Sequence, residues 1–185
     1  MGIFDFLNNG TAPGNMGADE KKKSESFTFS ALPESLDEMK ALPEASLDSP
    51  FKTAALTVCA FCAYAAAPET GKEMINFLKG PEQLSNYDDQ FIRERFRGKE
   101  YVPFSYFAGA APENDYMPSK PFTLEFETNP YSYTNEGYVK LFVKSSGADS
   151  PRPIELRQKG EQWFLWNYVG LLPDIRKPKS QDPWA

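Results

Sequence analysis

The chain has 185 residues, 41% apolar and 15% aromatic, with a formal charge of −6; this suffices for one substantial core and is too apolar for a disordered protein. The negative balance argues against general nucleic-acid binding, which draws its affinity from basic surface displacing counterions. Histidine is absent, which removes Ser-His and Cys-His nucleophile pairs, histidine-ligated metals and the usual near-neutral proton shuttle.

Ile3, Phe4, Phe6 and Leu7 form a small apolar tip ahead of a Gly, Asn, Pro and Lys stretch with the composition of a linker. Residues 1–26 are therefore expected to be a flexible tail and linker, and residues 27–185 a single domain. The tip reads either as a frayed end or as a docking peptide or interfacial anchor. Glu20 and Glu25 flank the Lys21-Lys22-Lys23 run, so a solvated linker is expected there as well. The start lacks the positive region and long apolar stretch of a secretory signal. Phe6 stands where a myristoylation pattern needs Ser or Thr. A cytoplasmic location is expected. The longest apolar run, residues 54–67, falls short of the roughly 18 to 20 residues of a membrane-spanning helix, so no transmembrane segment is expected.

From Phe27 the composition turns globular. Phe27, Thr28 and Phe29 read as a short edge strand, and Pro33 opens a brief helix running to Leu42, which Pro43 ends. Ser49 at an N-cap and Pro50 at the first helical position predict a helix to about Ala66. It is small and apolar on nearly every side, so neighbours must cover it all round. Pro68 restarts the chain, and Met74, Phe77 and Leu78 give an amphipathic helix that Gly80 caps. Ser85 with Asp88 is a capping box opening a third helix through Phe91, Ile92 and Phe96, ended by Gly98.

Beyond Gly98 the period becomes strand-like. Residues 101–107 read as a strand or extended aromatic segment, and 108–121 as a long Gly, Pro and Asn loop. Residues 122–127 alternate as a strand, and 138–168 form an antiparallel meander of three runs separated by turn clusters. Helices followed by strands predict an α+β domain, with three main helices packed on one face of a four- to five-stranded antiparallel sheet.

Alternation divides the strands into two faces. Leu124, Phe126, Val139, Leu141, Val143, Ile154 and Leu156 make a purely apolar set that should meet the helices. Glu125, Glu127, Tyr138, Lys140, Phe142, Lys144, Glu155, Arg157 and Lys159 make a mixed set. Of Trp163 and Trp166, at least one is expected in the core, since burying a ring removes about 150 to 250 Å² from water. A face of charges and rings is either an ordinary solvated face with cross-strand ion pairs or a binding surface. Charge is also uneven: residues 100–136 hold six acids against Lys120 alone, whereas 137–160 hold five bases against two acids.

Cys59 and Cys62 form a C-x-x-C inside a helical pattern, with no preceding strand and no further zinc ligands. They read as small core residues and, in a reducing compartment, as free thiols. Glu125 and Glu127 share a strand face, but Lys140 and Lys144 are expected across the ladder, so ion pairing outweighs acid-base catalysis. The loop Ser145-Ser146-Gly147-Ala148-Asp149-Ser150-Pro151-Arg152-Pro153 reads as a structural turn, or else as a ring of backbone N–H donors for an anion with Arg152 and Arg157 nearby.

Three phrases, ALPESLDEMKALPEASLDSPFKTAAL, LKGPEQLSNYDDQFIRERFRGKEYVPFSYFAGA and KSSGADSPRPIELRQKGEQWFLW, resemble an uncharacterised family of bacterial proteins, a domain of unknown function, over residues 27–185. The resemblance implies a bacterial origin and one continuous domain, and it supplies no activity and no catalytic residues. The reading of the residues is a non-catalytic binding or interaction module, its contact residues Lys140, Arg152, Arg157 and Trp166. Its partner would be a protein or a small anionic ligand, with no cofactor and no metal. Two alternatives stand beside it: a small histidine-free enzyme with a pocket near Tyr106 and Tyr138, and a structural subunit of a larger assembly.

Overall fold

The computed structural model describes residues 22–185; the apolar tip and Lys21 lie outside the described residues. In chain order the elements are β1 (Ser24–Phe29), α1 (Leu36–Lys40), α2 (Pro50–Ala66), α3 (Pro68–Lys79), α4 (Asn86–Phe96), β2 (Phe122–Glu127), β3 (Tyr138–Val143), β4 (Arg152–Lys159) and β5 (Gln162–Asn167). The strands make one antiparallel sheet in the order β1-β2-β3-β4-β5. This is the expected α+β architecture, with the three long helices α2, α3 and α4 and a five-stranded sheet.

The helices form where their end chemistry says they should. Ser49 accepts the Phe51 N–H at 3.2 Å with Pro50 at the first position. Ser85 and Asp88 complete a reciprocal capping box at α4. α2 is buried on almost every side, from Phe51 to Tyr64, and α3 folds back against it. They pack closely at Gly71, where a Cβ would fall 2.2 Å from the Tyr64 Cα; only a residue without a side chain fits. α2 then lies along the sheet, whose inner face is the apolar set. Leu124, Phe126, Val139, Leu141, Val143, Ile154 and Leu156 are each 2% exposed or less.

Several local expectations change. The first strand begins at Ser24 rather than Phe27, because Lys23 and Thr128 exchange backbone and side-chain hydrogen bonds that extend the ladder. Lys22 and Lys23 are correspondingly tied down, Lys22 to Glu127 at 2.7 Å and Lys23 to Glu25 at 2.8 Å. α1 starts at Leu36, since Ser35 caps it, and Pro43 opens a 3-10 turn instead of merely ending a helix. Neither tryptophan is fully buried: Trp163 is partly covered, Trp166 is 38% exposed, and Leu165 and Tyr168 take the core positions of that run.

Residues 101–107 are not a strand. Pro103 lacks an N–H to donate to a ladder, and Pro103–Tyr106 is a 3-10 turn. It fills a gap, because β2 and β3 pair only at Phe126 and Glu127 and then splay apart. The Ala108 N–H reaches the Thr123 carbonyl at 2.9 Å, and the Ser146 N–H reaches the Ser105 carbonyl at 3.2 Å. At the opposite edge β5 is covered: the Trp163 N–H donates to the Leu47 carbonyl at 2.8 Å, and the Thr53 hydroxyl to the Trp163 carbonyl at 2.7 Å.

Candidate binding groove

The outer face of the sheet sorts its charges by strand. Glu127 pairs with Lys22, and Glu125 accepts the Ser24 hydroxyl at 2.6 Å, so neither glutamate takes the expected Lys140 or Lys144 as partner. Register explains it: Glu127 lies opposite Phe142, and Lys140 lies opposite Glu155 with an ion pair of 3.2 Å.

One row further along, Arg157 stands between Tyr138 on β3 and Phe164 on β5. A register shift at Glu155/Leu156 swings Trp166 to the same place. The Arg157 guanidinium carbon then lies 4.6 Å from the Trp166 ring centre and 5.4 Å from that of Tyr138. The two rings meet edge-on with centres 5.7 Å apart. Stacking of this kind orients the guanidinium and leaves its N–H fork available for an anion. Among the described residues no carboxylate forms an ion pair with Arg157.

Arg157 forms one lip of a groove of about 410 Å³. Lys79, Pro81 and Glu82 make one wall, and Arg157, Lys159, Phe164 and Trp166 the other. Three cations thus face one acid over an aromatic floor. Gly80 holds this geometry: its φ is +64°, and a Cβ there would be 2.5 Å from the Phe164 ring, so the turn after α3 can rest on Phe164 only as glycine. Phe164 also floors a second concavity of about 530 Å³ lined by Leu36, Lys40, Leu47 and Phe77. Phe164 is thus shared by the linings of both hollows, which are referred to together as the trough.

The four residues expected as contacts therefore separate. Arg157 and Trp166 come together, Lys140 sits in the adjoining row neutralised by Glu155, and Arg152 lies at the other end of β4. There its Nη2 donates to the Asp174 carbonyl at 3.0 Å, and its Nε is buried without a partner. The loop before Arg152 spends its polar groups on itself and on the C-terminal segment. The Gly147 N–H donates to the Ser145 hydroxyl at 3.1 Å, its carbonyl accepts from the Arg176 N–H at 2.9 Å, and Asp149 pairs with Arg176 at 2.7 Å. It is a structural turn. Lys79 and Phe164 join the site without having been singled out; Gly80, expected from the sequence as the cap of α3, stands next to Lys79 and packs against Phe164.

Tyr106 and Tyr138 line different hollows. The Tyr106 hydroxyl is committed to the Leu171 carbonyl at 2.5 Å, and burial pushes its pKa well up. Cys59 and Cys62 are free and buried in α2, and burial raises both thiols far above their ordinary range. Among the described residues no three His, Cys, Asp or Glu side chains gather as metal ligands, and no helix is long and apolar enough to cross a membrane.

Residues 31–179 match the model of a family described as Domain of unknown function (DUF6935), and the chain belongs to that family. No curated protein and no solved structure matches it.

Proposed function

We propose that this family member is a non-catalytic binding module whose trough over Phe164 takes an extended acidic segment of a protein partner. The observation that carries the reading is the stacked Arg157, unpaired among the described carboxylates and flanked by Lys79 and Lys159 above two rings. Exposed rings beside arginine are the composition of interface hot spots. The shape favours a chain over a small molecule. Small ligands have 70–90% of their surface enclosed, whereas here two neighbouring hollows that share Phe164 offer lining residues from Leu36 to Trp166. A bacterial, cytoplasmic setting belongs to the same proposal, and two unpaired thiols one helical turn apart suit a reducing compartment.

The test is selection from a displayed random-peptide library on the full chain. Enriched peptides should carry a carboxylate next to aromatic or aliphatic residues, and should lose binding to Arg157→Glu and to Trp166→Ala. Equal binding to both variants, or no enrichment, would refute the reading.

A further inference from the structure

We infer that the trough takes a second copy of this chain, whose Asp182-Pro183-Trp184 segment lays the Trp184 ring against Phe164 and Trp166 and turns the Asp182 carboxylate toward Arg157 and Lys79. This rests on the reading of the trough as a site for an acidic segment.

The first support is chemical. The trough calls for a carboxylate beside a large apolar side chain. Trp184 is 93% exposed, more than any other large apolar side chain among the described residues. Of the exposed set, Tyr87, Met117 and Trp184 have an acid within two residues. The acids beside Tyr87 are spent: Asp88 closes the capping box with Ser85, and Asp89 binds Tyr64 and Lys72. Asp115, two residues before Met117, accepts the Ser180 hydroxyl. Asp182 accepts the N–H of Trp184 itself at 2.9 Å through Oδ1, and among the described residues it forms no ion pair. It is the carboxylate left for a partner.

The second support is presentation. Arg176 donates its N–H to the Gly147 carbonyl at 2.9 Å and pairs with Asp149 at 2.7 Å, and Lys179 pairs with Glu113 at 3.1 Å. Ser180 is the last tie, through Asp115. Beyond it Pro183 restricts Asp182 to extended backbone, found at φ −97° and ψ 110°. A ring already held on an ordered arm loses less freedom on docking.

The same ties keep the segment out of its own trough. Gly147 and Asp149 precede β4, and Arg157 stands five residues after Arg152, about 17 Å along the strand. A second ruler agrees. Tyr116, next to Asp115, stacks on Tyr101 beyond the end of α4, whereas Pro81 and Glu82 of the trough precede its start. α4 has 11 residues, about 16 Å of helix. Asp182 is two residues past Ser180, about 7 Å at full stretch. A second copy meets no such limit.

One ring and one charge pair make a contact of the small, transient class, below about 1,200 Å², so association is expected at about 0.1 mM and above. The experiment is sedimentation equilibrium of the full chain from about 0.01 to about 1 mM. The mean mass should climb from near that of the monomer to about twice it or more, and should stay at the monomer in Trp184→Ala and in Arg157→Glu. Both side chains are exposed, so neither change disturbs the core. Mixed in equal amounts, the two variants should pair one to one and go no further, since one brings the segment and the other the trough. A monomer at every concentration, self-association that survives either change, or a mixture that stays monomeric would each overturn the self-docking. Peptides selected on the Trp184→Ala chain judge the trough separately. Arg157-dependent peptides alongside a monomeric wild type remove the self-docking alone, whereas no enrichment on that variant removes the trough reading and the self-docking together.

Discussion

Replacing Gly80 by Ala tests the joint on which the groove is built. The backbone there has φ +64° and ψ −121°, a conformation that costs a residue with a Cβ about 1 kcal/mol or more. The added methyl would also stand 2.5 Å from the Phe164 Cδ1 and 2.6 Å from its Cε1, so the ring must shift, at an overpacking cost of about 1–3 kcal/mol. Together these give about 2–4 kcal/mol. Gly98 is the internal control: its φ is +68°, and nothing lies within 4 Å of a Cβ built on it. Gly98→Ala therefore carries the conformational cost alone, about 1 kcal/mol. In urea unfolding with a slope of about 2 kcal/mol per molar, Gly80→Ala should lower the midpoint by about 1–2 M and Gly98→Ala by about 0.5 M. Adding Phe164→Leu to Gly80→Ala should recover part of the loss, since contacting residues are not additive. Equal shifts for the two glycines would refute the argument, and with it the placement of Phe164 against the turn after α3.

Three further outcomes follow from the packing. Asp89 accepts the Tyr64 hydroxyl at 2.7 Å and faces Lys72 and Arg93 at 3.3 and 3.5 Å; burial works against its charge, but those three partners outweigh it and hold its carboxyl below the usual range. A lowered carboxyl stabilises the fold above the unfolded pKa and ceases to do so as pH falls through the folded one, so Asp89→Asn should flatten the acid limb of stability against pH by up to one proton; an unchanged slope would count against the network. Cys59 and Cys62, buried and pushed up by desolvation, should resist a thiol reagent at pH 8 until urea unfolds the chain, and prompt labelling of either would contradict the packing of α2. Gly71→Ala forces a Cβ into the Tyr64 backbone and should cost about 2–3 kcal/mol or prevent folding, whereas a neutral effect on the melting midpoint would mean that α2 and α3 lie further apart.

What could be read in advance depended on whether the deciding interaction is local. The N-caps at Ser49 and Ser85 act within three residues, and the alternation of Leu141 and its neighbours is visible along one strand, so α2, α4 and the inner face were legible. Residues 101–107 were not. Their aromatic content looks strand-like, but their conformation is set by a gap between β2 and β3 some 20 to 40 residues away. The pairing of Glu127 with Lys22 rather than a lysine of β3 is likewise a register outcome, and so is the bulge that carries Trp166 to Arg157. The groove therefore split along the same line. Arg157 and Trp166 stood out by residue type, while Lys79 and Phe164 entered through a helix-end glycine whose tight contact is a tertiary fact.

The measurement that bears most directly on the proposed module is a titration of the nitrogen-labelled full chain with a library-selected acidic peptide, followed by two-dimensional NMR. The largest shifts should fall on the Trp166 indole and on the amides of Lys79, Arg157 and Phe164, and should disappear in Arg157→Glu. Shifts centred on Glu125, Lys144 and Ser146 at the splayed mouth of β2 and β3, or no localised shifts at all, would contradict it.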